Sequence, residues 1–177
     1  MRELPARQRF TVRPATLRDL DLLVHHRRGM WRDMGVGDKR SLDRADTVYR
    51  QWARQHLRSG DFRAWLARNS EGKVVGGGAL WLRPAQPRPG YERGVQPYLL
   101  SMYTERAARG KGVASRIVRE AVNWTRKNGY PSLRLHASNM GRGVYSKLGF
   151  SRSWEMKMEF RQQSNARKSR RASPVVL

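Results

Sequence analysis

The chain has 177 residues, 38% of them hydrophobic, which suffices for one domain with a buried core and falls short of two. It contains no cysteine, so disulfides, thiolate metal sites and a cysteine nucleophile are excluded. Lys and Arg number 37 against 14 Asp and Glu, a formal charge of +23; such an excess either gathers anions, phosphates first, or forms a solvated arginine-rich surface.

No run reaches the apolar length of a membrane span, and MRELPARQRF lacks the apolar middle of a secretory signal. The expectation is a cytoplasmic protein without membrane contact. FTVRPA, residues 10–15, alternates and predicts a strand. TLRDLDLLVHHRRGMWRDMG predicts a helix, with Thr16 as N-cap, Asp19 three residues on, and a stripe of Leu20, Leu23, Val24, Arg27, Trp31 and Met34. RADTVYRQWARQHLRSG predicts a second helix with Val48 and Trp52, and then Gln55 and His56, near its inner face and Gly60 as its stop. His25, His26 and His56 read as helix-surface residues, with no metal-ligand spacing between them.

FRAWLAR and KVVGGGALWLR predict a hairpin about the turn Asn69-Ser70-Glu71-Gly72. The run Gly76-Gly77-Gly78 in its second arm calls for a bulge or for close approach by another segment. A Pro/Gly-rich loop, 84–97, precedes a strand at 98–104, a helix at about 112–128, and a strand at 132–138. GRGVYSKLGF predicts a short helix ending at Gly149, and SWEMKMEF, 153–160, a last strand. Residues 161–177 hold five basic residues and no periodicity, and are expected to form a flexible tail after a domain spanning 1–160. A strand, helix and strand over 98–138 imply a right-handed parallel crossover beside an antiparallel hairpin. The fold class is therefore α/β: one domain with a mixed sheet.

Between strand and helix lies ERAARGKGVAS. Apolar residues recur at helical spacing from Val113, so Arg109-Gly110-Lys111-Gly112 stands at a helix N-terminus. Free amides there, with glycines permitting approach, suit a diphosphate; a basic helix cap with a tight turn is the plainer alternative. Neither the P-loop pattern nor GxGxxG is present.

ARGKGVAS matches the [Q/R]-x-x-G-x-[G/A] signature of the GNAT superfamily of acetyl-CoA-dependent N-acetyltransferases at Arg109, Gly112 and Ala114. LHASNMGRGVYSKLGF resembles its second signature, from Tyr145 to Phe150, and the opening strand and helix are similar to the family's. The resemblance covers residues 10–160. It implies a GNAT-like domain of about four helices, in which the strand before the turn is bulged and splays from the next parallel strand. It further implies pantetheine in that split along Met102, Tyr103 and Thr104, and the diphosphate on the amides of Gly110, Lys111, Gly112, Val113, Ala114 and Ser115, beside Arg109. Asn139 resembles a cofactor-contacting polar residue.

The same resemblance makes Tyr145 the general acid, in place of a plain core tyrosine. No acid stands on the two splayed strands, so His136 is the candidate base, with Glu92 or a water chain as alternatives. The implied reaction is direct acetyl transfer from acetyl-CoA to an amine-bearing acceptor, without metal, by a monomer or homodimer. The acceptor would enter between the first two helices and loop 84–97, near Trp31, Trp52, Arg88, Tyr91 and Arg93. A GNAT-like module docking on RNA or another polyanion is the competing expectation.

Overall fold

The computed structural model describes residues 10–158. β1 (Thr11–Pro14), β2 (Phe62–Arg68), β3 (Val74–Pro84), β4 (Val95–Thr104) and β5 (Arg134–Leu135) form one sheet in the order β1-β2-β3-β4-β5. The first four strands meander antiparallel, and β5 joins β4 in parallel. Helices α1 (Leu20–Asp33) and α2 (Lys39–Ser59) cover one face. Helices α3 (Val113–Lys127) and α4 (Arg142–Lys147) cover the other. The mixed α/β architecture and the four helices agree with expectation.

Local chemistry explains the element starts. Thr16 N–H donates to Asp19 Oδ2 at 2.8 Å, and Arg13 grips the same carboxylate in a fork at 2.6 and 2.9 Å, closing a 3-10 turn ahead of α1. α2 begins earlier than the sequence suggests, at Lys39, because Asp38 accepts the Ser41 N–H at 2.7 Å. Leu42, Tyr49 and Ala53 are buried, whereas Val48 is 66% exposed, contrary to expectation. In α1, Leu20, Leu23 and Val24 are buried as the stripe predicts, and Met34 lies exposed beyond the helix end.

The glycine run in β3 is a close approach on both faces. A Cβ at Gly77 would lie 2.7 Å from His26 Nδ1 of α1, and one at Gly78 would lie 2.9 Å from Ile117 of α3. Val113, Ile117, Val118 and Ala121 of α3 are buried on this ground. Each large apolar side chain so removed from water contributes about 1.5–3 kcal/mol.

Three expectations need correction. Residues 151–158 form no strand, although Trp154, Met156 and Met158 alternate and are strongly exposed; 159–160 and the expected tail lie outside the described residues. Among the described residues no strand pairs with this segment. β5 is two residues long, shorter than 132–138, and the loop shrinks to 85–94 because β3 and β4 run on as a longer hairpin. That loop leans on the α3–β5 connection: Arg93 donates to Asn128 O at 2.7 Å, and Tyr91 meets Tyr130 edge to face. No described helix is long and apolar enough to cross a membrane.

Candidate active site

Two features of β4 shape the site. Gly77 pairs with Tyr103 but Ala79 with Leu100, so Ser101 and Met102 together oppose Gly78. Ser101 takes φ 53°, the one non-glycine residue among those described with positive φ. This is a bulge. Parallel pairing with β5 then ends at Leu99 and Leu135, while β4 continues to Thr104. The two strands part where Met102, Tyr103 and Thr104 lie.

The basic turn follows. Gly110 and Gly112 adopt φ of 74° and 86°, and a Cβ at either would meet nothing within 4 Å. Helix α3 has no side-chain cap, and among the described residues no protein acceptor takes the amides of Gly110 to Ser115. Six N–H groups are therefore left without a protein acceptor at the positive end of a fifteen-residue helix. Lys111 adds mobile charge. Arg109 does not point there: its Nε donates to Thr104 O at 2.9 Å and its terminal nitrogen pairs with Asp33 of α1. Arg106 joins Asp33 at 2.9 Å, and these two guanidinium groups hold that carboxylate below its usual range. The turn is thus braced by α1, and Thr104 offers a carbonyl already engaged.

Behind the brace sits His26, which is buried, not on the helix surface. Its Nδ1 has no partner, its Nε2 lies 4.0 Å from Glu105 Oε1, and burial holds its pKa down to about 4 despite that carboxylate. His25 on the outer side meets Glu105 at 3.0 Å. Gly29 lets the Tyr103 ring approach α1, since a Cβ there would fall 2.6 Å from the ring. An open cleft of about 950 Å³ flanks this brace, lined among others by Arg32, Lys73, Glu105, Arg106 and Lys111. It shares Tyr103 and Lys111 with the site, yet no residue of β5 lines it, so it lies beside the split and does not fill it.

On the α1–α2 face, Tyr49 is buried with its pKa pushed up to about 12 by desolvation, and the Arg27 guanidinium stands 4.5 Å over its ring. Trp52 stacks on it and meets Trp81 edge to face. His56 is tied to Asp61 at 2.7 Å beside Trp52. Of the residues expected near the acceptor, Trp52 belongs to this aromatic wall and Trp31 borders it through Arg27; Arg88, Tyr91 and Arg93 are drawn off with their loop.

The far side of the split carries the titratable candidates. His136 follows β5 directly; its Nδ1 meets the hydroxyl of Tyr98 on β4, and its Nε2 lies 3.4 Å from Glu155 Oε1. Asn139 accepts from Arg142 at 2.9 Å at the start of α4. Tyr145 lies half-buried on α4 against Phe150, and desolvation raises its hydroxyl above the ordinary tyrosine value. Glu92 instead accepts the Gly90 N–H at 3.0 Å within its own loop turn. Sequence reasoning missed Asp33, Tyr98 and Glu155; only their tertiary partners distinguish them from other exposed acids and strand tyrosines.

Comparisons with known proteins agree with this geometry. The model of the Acetyltransferase (GNAT) family matches residues 25–150. A GCN5-related N-acetyltransferase from Ralstonia eutropha JMP134 superposes with TM-score 0.77 at 25% identity, over 86% of this chain and 99% of its own. A predicted acetyltransferase from Clostridium acetobutylicum, crystallised with acetyl-CoA, gives 0.76 at 25% identity over 86% and 96%. An aminoglycoside N-acetyltransferase, AAC(6')-Iy, in complex with CoA shares the fold at 16% identity, TM-score 0.66, over 90% and 99%. No curated protein sequence gives a significant match. With a bulged, splaying strand that leads into an uncapped basic helix start, and a family match across most of the described domain, the chain belongs to the GNAT family of acetyl-CoA-dependent N-acetyltransferases.

Proposed function

We propose that this acetyltransferase moves the acetyl group of acetyl-CoA directly to a primary amine of a small molecule or protein. One observation carries the reading: β4 parts from β5 just before a turn whose amides, from Gly110 to Ser115, face no protein acceptor. Those amides and Lys111 would hold the diphosphate, and the β4 edge from Met102 to Thr104 the pantetheine. The bound thioester supplies the acetyl group. Asn139 stands near the start of α4 as a further cofactor contact.

Tyr145 acts as general acid. Burial keeps its hydroxyl protonated at neutral pH, which suits donation to a departing thiolate. His136 acts as base, taking the proton that the amine sheds as its nitrogen bonds to carbon and the carbon–sulfur bond breaks. No metal is required by this scheme. The protein works in the cytoplasm as a monomer or homodimer, and the exposed Trp154, Met156 and Met158 favour the homodimer.

The test is calorimetric titration with acetyl-CoA, then thiol release across a panel of amines. Micromolar binding with amine-dependent release is expected; absence of binding overturns the reading. The charge of +23 favours a second activity, docking on RNA or another polyanion through the basic surface. Retention on nucleic acid that falls steeply with salt, beside intact acetyl transfer, would support it.

A further inference from the structure

We propose that His136 does not meet the acceptor itself, and that the proton reaches it through the hydroxyl of Tyr98, with Glu155 fixing the imidazole from behind. This rests on the acetyl-transfer reading above. Both ring nitrogens have a neighbour: Nδ1 meets the Tyr98 hydroxyl, and Nε2 lies within ion-pair reach of Glu155 Oε1 at 3.4 Å. An ionised carboxylate accepts only, so the nitrogen beside Glu155 carries the hydrogen. Nδ1 is then the lone-pair nitrogen, and Tyr98 must donate to it. The two neighbours together select one tautomer, and in that tautomer the basic nitrogen is covered by a phenol.

The phenol is well seated. Tyr98 pairs with Arg134 one residue before the β4–β5 ladder ends, and its ring lies under the Arg83 guanidinium at 4.1 Å. Alternation places it on the same face as Leu100, which packs with the α1–α2 cluster, and opposite Leu99. That is the face from which the aromatic wall of Tyr49, Trp52 and Trp81 rises. The other charged groups near the imidazole are Arg134, two residues earlier on β5, and Arg83 across Tyr98.

The step balances without a co-reactant. The amine nitrogen gives its proton to Tyr98 Oη as that oxygen passes its own proton to His136 Nδ1. The imidazolium so formed stands beside the Glu155 carboxylate, and Tyr98 ends as neutral as it began. The proton leaves to solvent from the exposed imidazole.

Tyr98→Phe keeps the ring beneath Arg83 and removes only the oxygen. Its kcat/KM should fall about 100-fold, matching His136→Ala, with acetyl-CoA affinity within about twofold, and the double variant should be no worse than either single one. Glu155→Gln replaces a pure acceptor with a group that can also donate, so the His136 ring nitrogen NMR shifts in the free protein, which report the tautomer, should move away from the form with hydrogen on Nε2. Tyr98→Phe activity above a tenth of the parent, with His136→Ala inactive, would overturn the relay and leave His136 acting directly. An unchanged His136 tautomer in Glu155→Gln would overturn the clamp. If no amine is turned over at all, the acetyl-transfer reading fails while the NMR measurement still decides the clamp, so the two failures are distinguishable.

Discussion

Helices α2 and α3 begin in opposite ways. α2 closes its own start: Asp38 takes the Ser41 N–H, and Ser41 Oγ returns a bond to Asp38 O at 2.9 Å. α3 begins at a left-handed glycine, with no side chain over its amides, although its positive end is as costly to leave bare. On the proposed reading, the open start of α3 is where the diphosphate of acetyl-CoA would supply the missing acceptors. The braces beneath it, Asp33 with Arg106 and Arg109, hold the opening without entering it.

The contrast can be broken most sharply at Gly112. Gly112→Glu sets an anion where the diphosphate would lie, and acetyl-CoA affinity should fall at least about 100-fold by calorimetry, given the worth of charge at a helix start. Gly112→Ala carries the same backbone strain without the charge and should lose far less. Unchanged affinity in the glutamate variant would refute the assignment.

A smaller effect is expected at the acid. Tyr145→Phe should lower kcat by about 10- to 100-fold with acetyl-CoA affinity nearly unchanged, since the proposed role places the hydroxyl on the leaving thiol and not in binding. Equal turnover would remove Tyr145 from the mechanism.

The brace has its own signature in pH. His26 is buried neutral, with a folded pKa of about 4 against about 6.5 in the unfolded chain. Between those values the unfolded state binds more protons, so stability falls as pH drops from about 6.5 to about 4, by about 3 kcal/mol in all. Chemical denaturation across that window should show the slope. A His26→Asn variant, with no proton to bind, should lose this contribution to it; a slope of full size would dismiss His26 as its source.

The smallest effect sharpens the comparison from the capped side. Asp38→Ala should cost about 1 kcal/mol of stability, seen as a lower Tm, with acetyl-CoA affinity unaltered. Weaker binding there would mean that the two helix starts are not independent.

Much of this was legible from periodicity alone. Regular spacing from Val113 located α3, and the glycines before it located the turn, because a helix start and its φ > 0 residues are local properties. The triple glycine foretold contact on β3 but not with what; His26 and Ile117 supply the answer from helices distant in the chain. Local pattern misled at SWEMKMEF, where the described residues alternate yet join no strand, since alternation marks a strand only when the segment actually pairs. It misled also at Val48, because the stripe of Leu42, Tyr49 and Ala53 faces inward and leaves Val48 outside.

By itself the sequence determined the order of elements as far as α4, the mixed α/β class, the family signature and the basic turn, all of which depend on neighbours within a few residues. Only the tertiary structure decided that β4 leaves β5 after Leu99, that Arg109 turns back to Asp33, that His26 is buried, and that His136 stands between Tyr98 and Glu155. Such pairings join residues tens of positions apart, and their energies come from burial and charge proximity, quantities that no local spacing encodes.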